Sequence, residues 1–283
     1  MKIKFLGTAA AEGTPALFCY CDICERARKL GGKNIRTRSQ TLINDDLLID
    51  FPADTYMHVL NYGLDLRKIK TLLITHGHDD HFYPFDLVYR CSPVYAIYPD
   101  NAVNKKPLEL YLTKDSGKIM RPYFKQEKVS EDKNAININY IDKFKSFVSN
   151  GYTVTPLRAS HAPKLDPVIY IIQKDGKSLL YAHDSGYFPD DTWQFIEKSG
   201  IVFDFVSLDC TSTLKDEAYK YHMGLKACCD VKARLIENEN ANQKTIFFVN
   251  HFSHNGHTVY DDLVPIAEKN GFNVSYDGLE IEF

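Results

Sequence analysis

The spacing of apolar and polar residues divides the chain into short elements. Residues 2–6 (KIKFL) alternate, so that Ile3 and Phe5 share a face, the period of a half-buried strand. Residues 41–50 (TLINDDLLID) read as a hairpin turning at Asn44-Asp45, and residues 69–74 (IKTLLI) as a buried strand. Further strands are predicted over 152–157, 168–173 and 178–182, the last two joined by the turn Lys174-Asp175-Gly176-Lys177. The apolar runs at 202–208 and 245–249 and the late runs at 272–276 and 279–283 complete the strands. Helical spacing covers 22–30, 53–62, 189–198, 223–237 and 260–270. The acidic pair after Pro189 suits the positive end of a helix. Strand pairs interleaved with helices point to layered α/β or α+β architecture.

Composition narrows this picture. The chain has 283 residues, enough for one large domain or two small ones, and 44% are hydrophobic, enough for a substantial core. No apolar run approaches a membrane span, and the first residues are too soon interrupted by Gly7 and Glu12 for a signal peptide. The chain therefore reads as a soluble cytoplasmic protein with no membrane partner. A net charge of −3 argues against bulk nucleic-acid binding. Residues 101–150 stand apart with ten Lys/Arg against six Asp/Glu, a net of +4. They read as a basic insertion in a single domain spanning 1–283, either a solvated surface element or a positive wall beside a site for an anion. A homodimer is left open.

Seven cysteines, an odd number, do not suggest a secreted disulfide framework. Cys91, Cys210, Cys228 and Cys229 read as buried small apolar residues. Cys19, Cys21 and Cys24, spaced C-x-C-x-x-C, bring three thiolates into one loop and read as part of a closed zinc site.

The densest chemistry is His76-Gly77-His78-Asp79-Asp80-His81, directly after the apolar run Leu72-Leu73-Ile74. In extended backbone His76 and His78 face one centre, and a following turn can aim Asp80 and His81 at a second. Imidazole and carboxylate suit zinc and similar divalent ions. Taken alone, His161, Asp184 before Ser-Gly, and His251 after the strand 245–249 each have ordinary readings as surface, turn or core residues.

The six-residue motif matches the H-x-H-x-D-H signature of the metallo-β-lactamase superfamily, and the rest of the chain resembles that family in order. The resemblance implies a four-layer αββα sandwich of α+β class. It implies one divalent ion held by His76, His78 and His161, a second held by Asp80, His81 and His251, and Asp184 bridging them. Asp50 takes the place of a supporting aspartate. The cysteine loop is similar to that of the phosphoribosyl cyclic phosphodiesterase branch of the carbon–phosphorus lyase pathway. There, three cysteines and a histidine hold a structural zinc, and the matching residues are Cys19, Cys21, Cys24 and His254. His222 resembles the non-ligand histidine of superfamily phosphodiesterases, with Asp209 placed to orient it; His257 is left unassigned. The resemblance thus implies a binuclear metal-dependent phosphodiesterase with zinc or manganese, in which His222, Asp80 and Asp184 are catalytic. A metal-bridging hydroxide would attack a small phosphorylated substrate, a cyclic or otherwise modest phosphodiester. The alternatives are hydrolysis of a lactone, lactam or thioester, or a role in quinone-cofactor biosynthesis.

Overall fold

The computed structural model describes residues 1–92, 94–98, 106–126 and 135–283. Two seven-stranded sheets face each other. The first has the order β14-β1-β2-β3-β4-β5-β6, the second β13-β12-β11-β10-β9-β8-β7. In chain order the strands are β1 (Lys2–Gly7), β2 (Gln40–Ile43), β3 (Leu47–Ile49), β4 (Thr71–Leu73), β5 (Leu108–Leu112), β6 (Ile136–Tyr140), β7 (Phe147–Ser149), β8 (Tyr152–Arg158), β9 (Val168–Lys174), β10 (Lys177–Ala182), β11 (Phe205–Asp209), β12 (Ile246–Asn250), β13 (Asn273–Val274) and β14 (Leu279–Glu282). The helices are α1 (Asp22–Leu30), α2 (Thr55–Tyr62), α3 (Lys114–Gln126), α4 (Asp190–Ser199), α5 (Leu225–Glu237) and α6 (Tyr260–Lys269).

The alternation at the start of the chain does what its period requires. Ile3 and Phe5 of β1 point between the sheets, meeting Tyr170, Leu179, Tyr181, Phe205 and Phe248 from the other side. The outer face of the second sheet buries Trp193 and Ile196 of α4, Leu225, Val231 and Leu235 of α5, and Leu263 of α6. The outer face of the first packs Leu48, Leu72 and Leu110 under Met120 and Phe124 of α3, with Val59 and Tyr62 of α2 alongside. The four layers are those of an αββα sandwich.

The described part of 101–150 is woven into this frame. β5 and β6 extend the first sheet in parallel beyond β4, and α3 crosses between them. Lys105, Lys128 and Lys133, with Glu127, Glu131 and Asp132, lie outside the described residues. Two late expectations shrink: β11 starts at Phe205, because the Phe203 amide bonds the Asn240 carbonyl outside the ladder, and β13 is two residues long. Cys210 and Cys228 are buried, but Cys91 and Cys229 are only partly so, since each lies near the rim of its core.

Strand polarity positions everything that follows. β3 and β4 run parallel, as do β10, β11 and β12. Their C-terminal ends therefore open on one edge of the sandwich, where loops can converge.

Candidate metal centre

Five of these strand ends deliver the polar residues singled out above. Asp50 follows β3, the histidine loop follows β4, Asp184 follows β10, Asp209 ends β11 and His251 follows β12. His161 comes from the loop after β8. Asp50, Asp184 and His251 are non-glycine residues with φ of +66°, +52° and +63°. The left-handed turn lets each side chain leave its strand and bend toward the common centre.

The side chains meet nitrogen to nitrogen. His76 Nε2 lies 2.8 Å from His78 Nδ1, which lies 3.1 Å from His161 Nε2. His81 Nε2 lies 3.1 Å from His251 Nε2. Asp184 Oδ2 stands between the two groups, 2.9 Å from His76 Nε2, 3.1 Å from His161 Nε2 and 3.3 Å from His81 Nε2. Asp80 Oδ2 is 3.2 Å from His81 Nε2. Asp184 Oδ1, also buried, lies 3.1 Å from His222 Nδ1. His78 Nδ1 alone faces two ring nitrogens, and one shared proton cannot satisfy both contacts. The arrangement is what ligands adopt around cations, and the donor set of imidazoles and carboxylates fits divalent ions.

The outward nitrogens are tied back, which fixes each ring. His81 Nδ1 lies 2.7 Å from Asp50 Oδ2, His251 Nδ1 lies 2.8 Å from Thr211 Oγ1, and His161 Nδ1 lies 3.2 Å from the Tyr221 carbonyl. Asp50 is itself held by the Thr75 amide and hydroxyl. These supports orient ligands in the way metal sites require. Thr75, Thr211 and the Tyr221 carbonyl carry no sequence signature and were not among the expected residues. His183, next to Asp184, turns the other way and bonds Ser207 and Asn250.

The charges respond to this crowding. Burial opposes the ionised form of Asp184, but His251, His222 and His76 outweigh it and hold the carboxyl well below its usual range. Burial likewise opposes a charged His81, yet Asp80 and Asp50 raise it well above its ordinary value. His161, with burial dominant, falls to about 4. His222 reaches into the same edge: its Nδ1 is 3.1 Å from Asp184 and 3.3 Å from Asp209.

A cleft of about 330 Å³ opens over these residues. Its wall includes His78, Asp80, His161, Asp184, His222 and His251. Among the described residues no lysine or arginine lines it. The basic stretch contributes instead from behind, where Ile119 of α3 packs against Gly77.

The second expected site also assembles. His254 Nδ1 lies 3.5 Å from Cys19 Sγ and 3.3 Å from Cys21 Sγ, and the ligating atoms of Cys19, Cys21, Cys24 and His254 all fall within 4.8 Å of one another. The His254 hydrogen bond draws the Cys21 thiol down to about 6, while burial pushes Cys24 up to about 12. Three sulfurs and one imidazole suit tetrahedral zinc. His257 stands exposed and away from both groups.

Comparisons agree with the fold. Solved structures similar to the chain include a diphosphatase from the PhnP family, 19% identical over 100% of this chain and 97% of that one, with a TM-score of 0.72. Zn(2+)-bound PqqB from Methylobacterium extorquens is 19% identical over the whole of both chains, with a TM-score of 0.71. The short form of human tRNase Z is 16% identical over 100% and 99%, with a TM-score of 0.64. No curated protein sequence matches the chain. A family described as "Beta-lactamase superfamily domain" matches residues 48–242, a span that takes in the histidine loop, His161, Asp184 and His222 and leaves the cysteine loop, His251 and His254 to the geometry. With that match over most of its length, the chain belongs to the beta-lactamase superfamily.

Proposed function

We propose that the protein is a metal-dependent phosphodiesterase acting on a small phosphodiester, with two divalent ions at the histidine and aspartate groups and one zinc at the cysteine loop. The observation that carries this reading is the shared oxygen: Asp184 Oδ2 sits within 3.3 Å of ring nitrogens from both groups, so one carboxylate serves two adjacent centres. Two structures of this fold are named a diphosphatase and a tRNase, names that denote cleavage at phosphorus, which favours a phosphoester over a lactam or thioester.

His76, His78 and His161 would hold one ion, Asp80, His81 and His251 the other, with Asp184 common to both. Bound divalent ions supply Lewis acidity and an activated water at neutral pH. The chain itself supplies orientation. Asp50, Thr211 and the Tyr221 carbonyl lock the imidazoles, so the site does not rearrange as charge develops. His222 stands beside the centre with Nδ1 held between Asp184 and Asp209, placed to protonate a departing alkoxide.

The test is hydrolysis of bis(4-nitrophenyl) phosphate by the purified protein and by Asp80→Ala, with metal content measured on both. Wild type should turn over the ester and carry close to three metal ions per chain, and the variant should lose at least about a thousandfold in kcat/KM while staying folded. An inactive wild type loaded with metal, or an active Asp80→Ala, would overturn the assignment.

A further inference from the structure

One acidic residue of the cleft belongs to neither metal group. Glu12 lines the wall together with Ala10, Ala11, Ser212, Ser253 and Asn255. It reaches that wall because β1 ends at Gly7 and the chain runs along the rim toward the cysteine loop. One carboxylate oxygen, Oε1, accepts the hydroxyl of Ser253, which in turn accepts the Asn255 amide. The same oxygen stands 3.6 Å from His254 Nε2, the outward nitrogen of the histidine in the cysteine site. Glu12 is thus held through one oxygen, between Ser253 and the histidine of the sulfur cluster. Its other oxygen, Oε2, has no hydrogen-bond partner among the described residues.

The electrostatics of the wall follow. The charges of Asp80 and Asp184 are offset by the histidines around them and by any ions they hold. Glu12 faces no lysine or arginine in the cleft. A carboxylate with a free oxygen accepts hydrogen bonds from hydroxyls and repels a second phosphate, a discrimination built from one attractive and one repulsive element.

Resting on the phosphodiesterase reading, we propose that Glu12 is a specificity-determining residue that selects phosphodiesters of a hydroxyl-bearing sugar or polyol and rejects those that carry an additional phosphate. The chemistry of the cleaved bond is unchanged by this selection. Only the group beside it is read.

Two esters that differ at a single position test it: thymidine 5′-(4-nitrophenyl phosphate), with a free 3′-hydroxyl, and its 3′-phosphorylated counterpart. Wild type should favour the hydroxyl form by about tenfold or more in kcat/KM. Glu12→Gln should bring that ratio down by about tenfold, mainly by lowering KM for the phosphorylated ester, whereas Glu12→Asp, which keeps the charge, should preserve most of it. The ratio is internal to each variant, so a general loss of activity or stability does not mimic the effect. A wild type that prefers the phosphorylated ester, or a Glu12→Gln ratio equal to wild type, overturns the proposal. Failure of wild type to cleave bis(4-nitrophenyl) phosphate at all would instead remove the phosphodiesterase reading beneath it.

Discussion

Single residues at the strand ends do two jobs at once. Asp50 breaks away from β3 with φ of +66° and spends its carboxylate on the Thr75 amide, the Thr75 hydroxyl and His81 Nδ1. A left-handed aspartate costs of order 1–3 kcal/mol, and it persists here because these three groups over-determine its position. Such a residue is legible in sequence only through its company. The histidine loop stands out because its ligands are contiguous, and Asp50 because it ends an apolar run. Thr75 and Thr211 are common residues at unremarkable positions, and only the folded chain brings them to hold His81 and His251 in place. Asp50→Asn keeps the size and most of the hydrogen bonds but removes the charge behind His81. Metal affinity should fall about 10- to 100-fold, read by competition with a chromogenic chelator. An unchanged affinity would mean that Asp50 supports the loop and not the ligand.

At the level of elements, the sequence patterns served well where the period was clean and failed where punctuation interrupted it. α1 spans the expected residues, and the hairpin of β2 and β3 turns at Asn44 as its residues suggest. α3 went unread because Gly117 and Pro122 lie inside it, and β6 because asparagine alternates with isoleucine where a strand usually shows valine or threonine. The basic composition of 101–150 drew attention to charge, whereas the apolar residues of α3 and β5 decide how the segment folds. Two predictions belong here. Gly186 follows Asp184 so closely that a Cβ on it would fall 2.3 Å from the carbonyl oxygens of Tyr219 and Lys220, backbone atoms that can move only with their whole segment. Gly186→Ala should therefore push the segment carrying His222 outward, lowering kcat by about a hundredfold with metal content unchanged; normal turnover would show that the segment adapts freely. Cys21→Ser should act on the other site, lowering the thermal midpoint more than it lowers activity, because a sulfur-held ion contributes its binding energy to folding. A purely catalytic defect at an unchanged midpoint would speak against a structural zinc.

The whole molecule depends on joining distant parts of the chain at one edge, and its ends are part of that junction. β14 pairs with β1, and the turn before β14 sends Asp277 back to the opening loop. There it accepts the hydroxyls of Thr8 and Thr37 and the Thr37 amide, each at 2.6 Å. Thr37 Oγ1 lies 2.8 Å from His58 Nε2, whose Nδ1 meets Gln40 Oε1 at 2.6 Å, and Gln40 Nε2 donates to the Asp50 carbonyl. A continuous polar chain thus runs from the last turn of the protein to the residue that holds His81. The order of the ligands along the sequence announced the sandwich, but nothing in the sequence announced this brace, in which Asp277 lies more than two hundred positions from its partners Thr8 and Thr37. Burial dominates at Asp277 and, against the donors around it, raises the carboxyl from 3.8 to about 6. A carboxyl that binds its proton more tightly in the folded chain adds stability that is fully present below pH 3.8 and lost as pH rises through 6. The whole effect is at most about 3 kcal/mol, since Asp277 keeps some contact with water. Asp277→Asn resembles the protonated form and does not titrate. In urea unfolding at pH 4 and pH 7.5, wild type should gain on the variant at the lower pH by up to that amount, with the titrations of all other groups cancelling in the difference. A difference that is flat across the range would mean that Asp277 is already ionised in the folded protein, and that the brace carries a charge from the chain's last turn to the edge where the metals would sit.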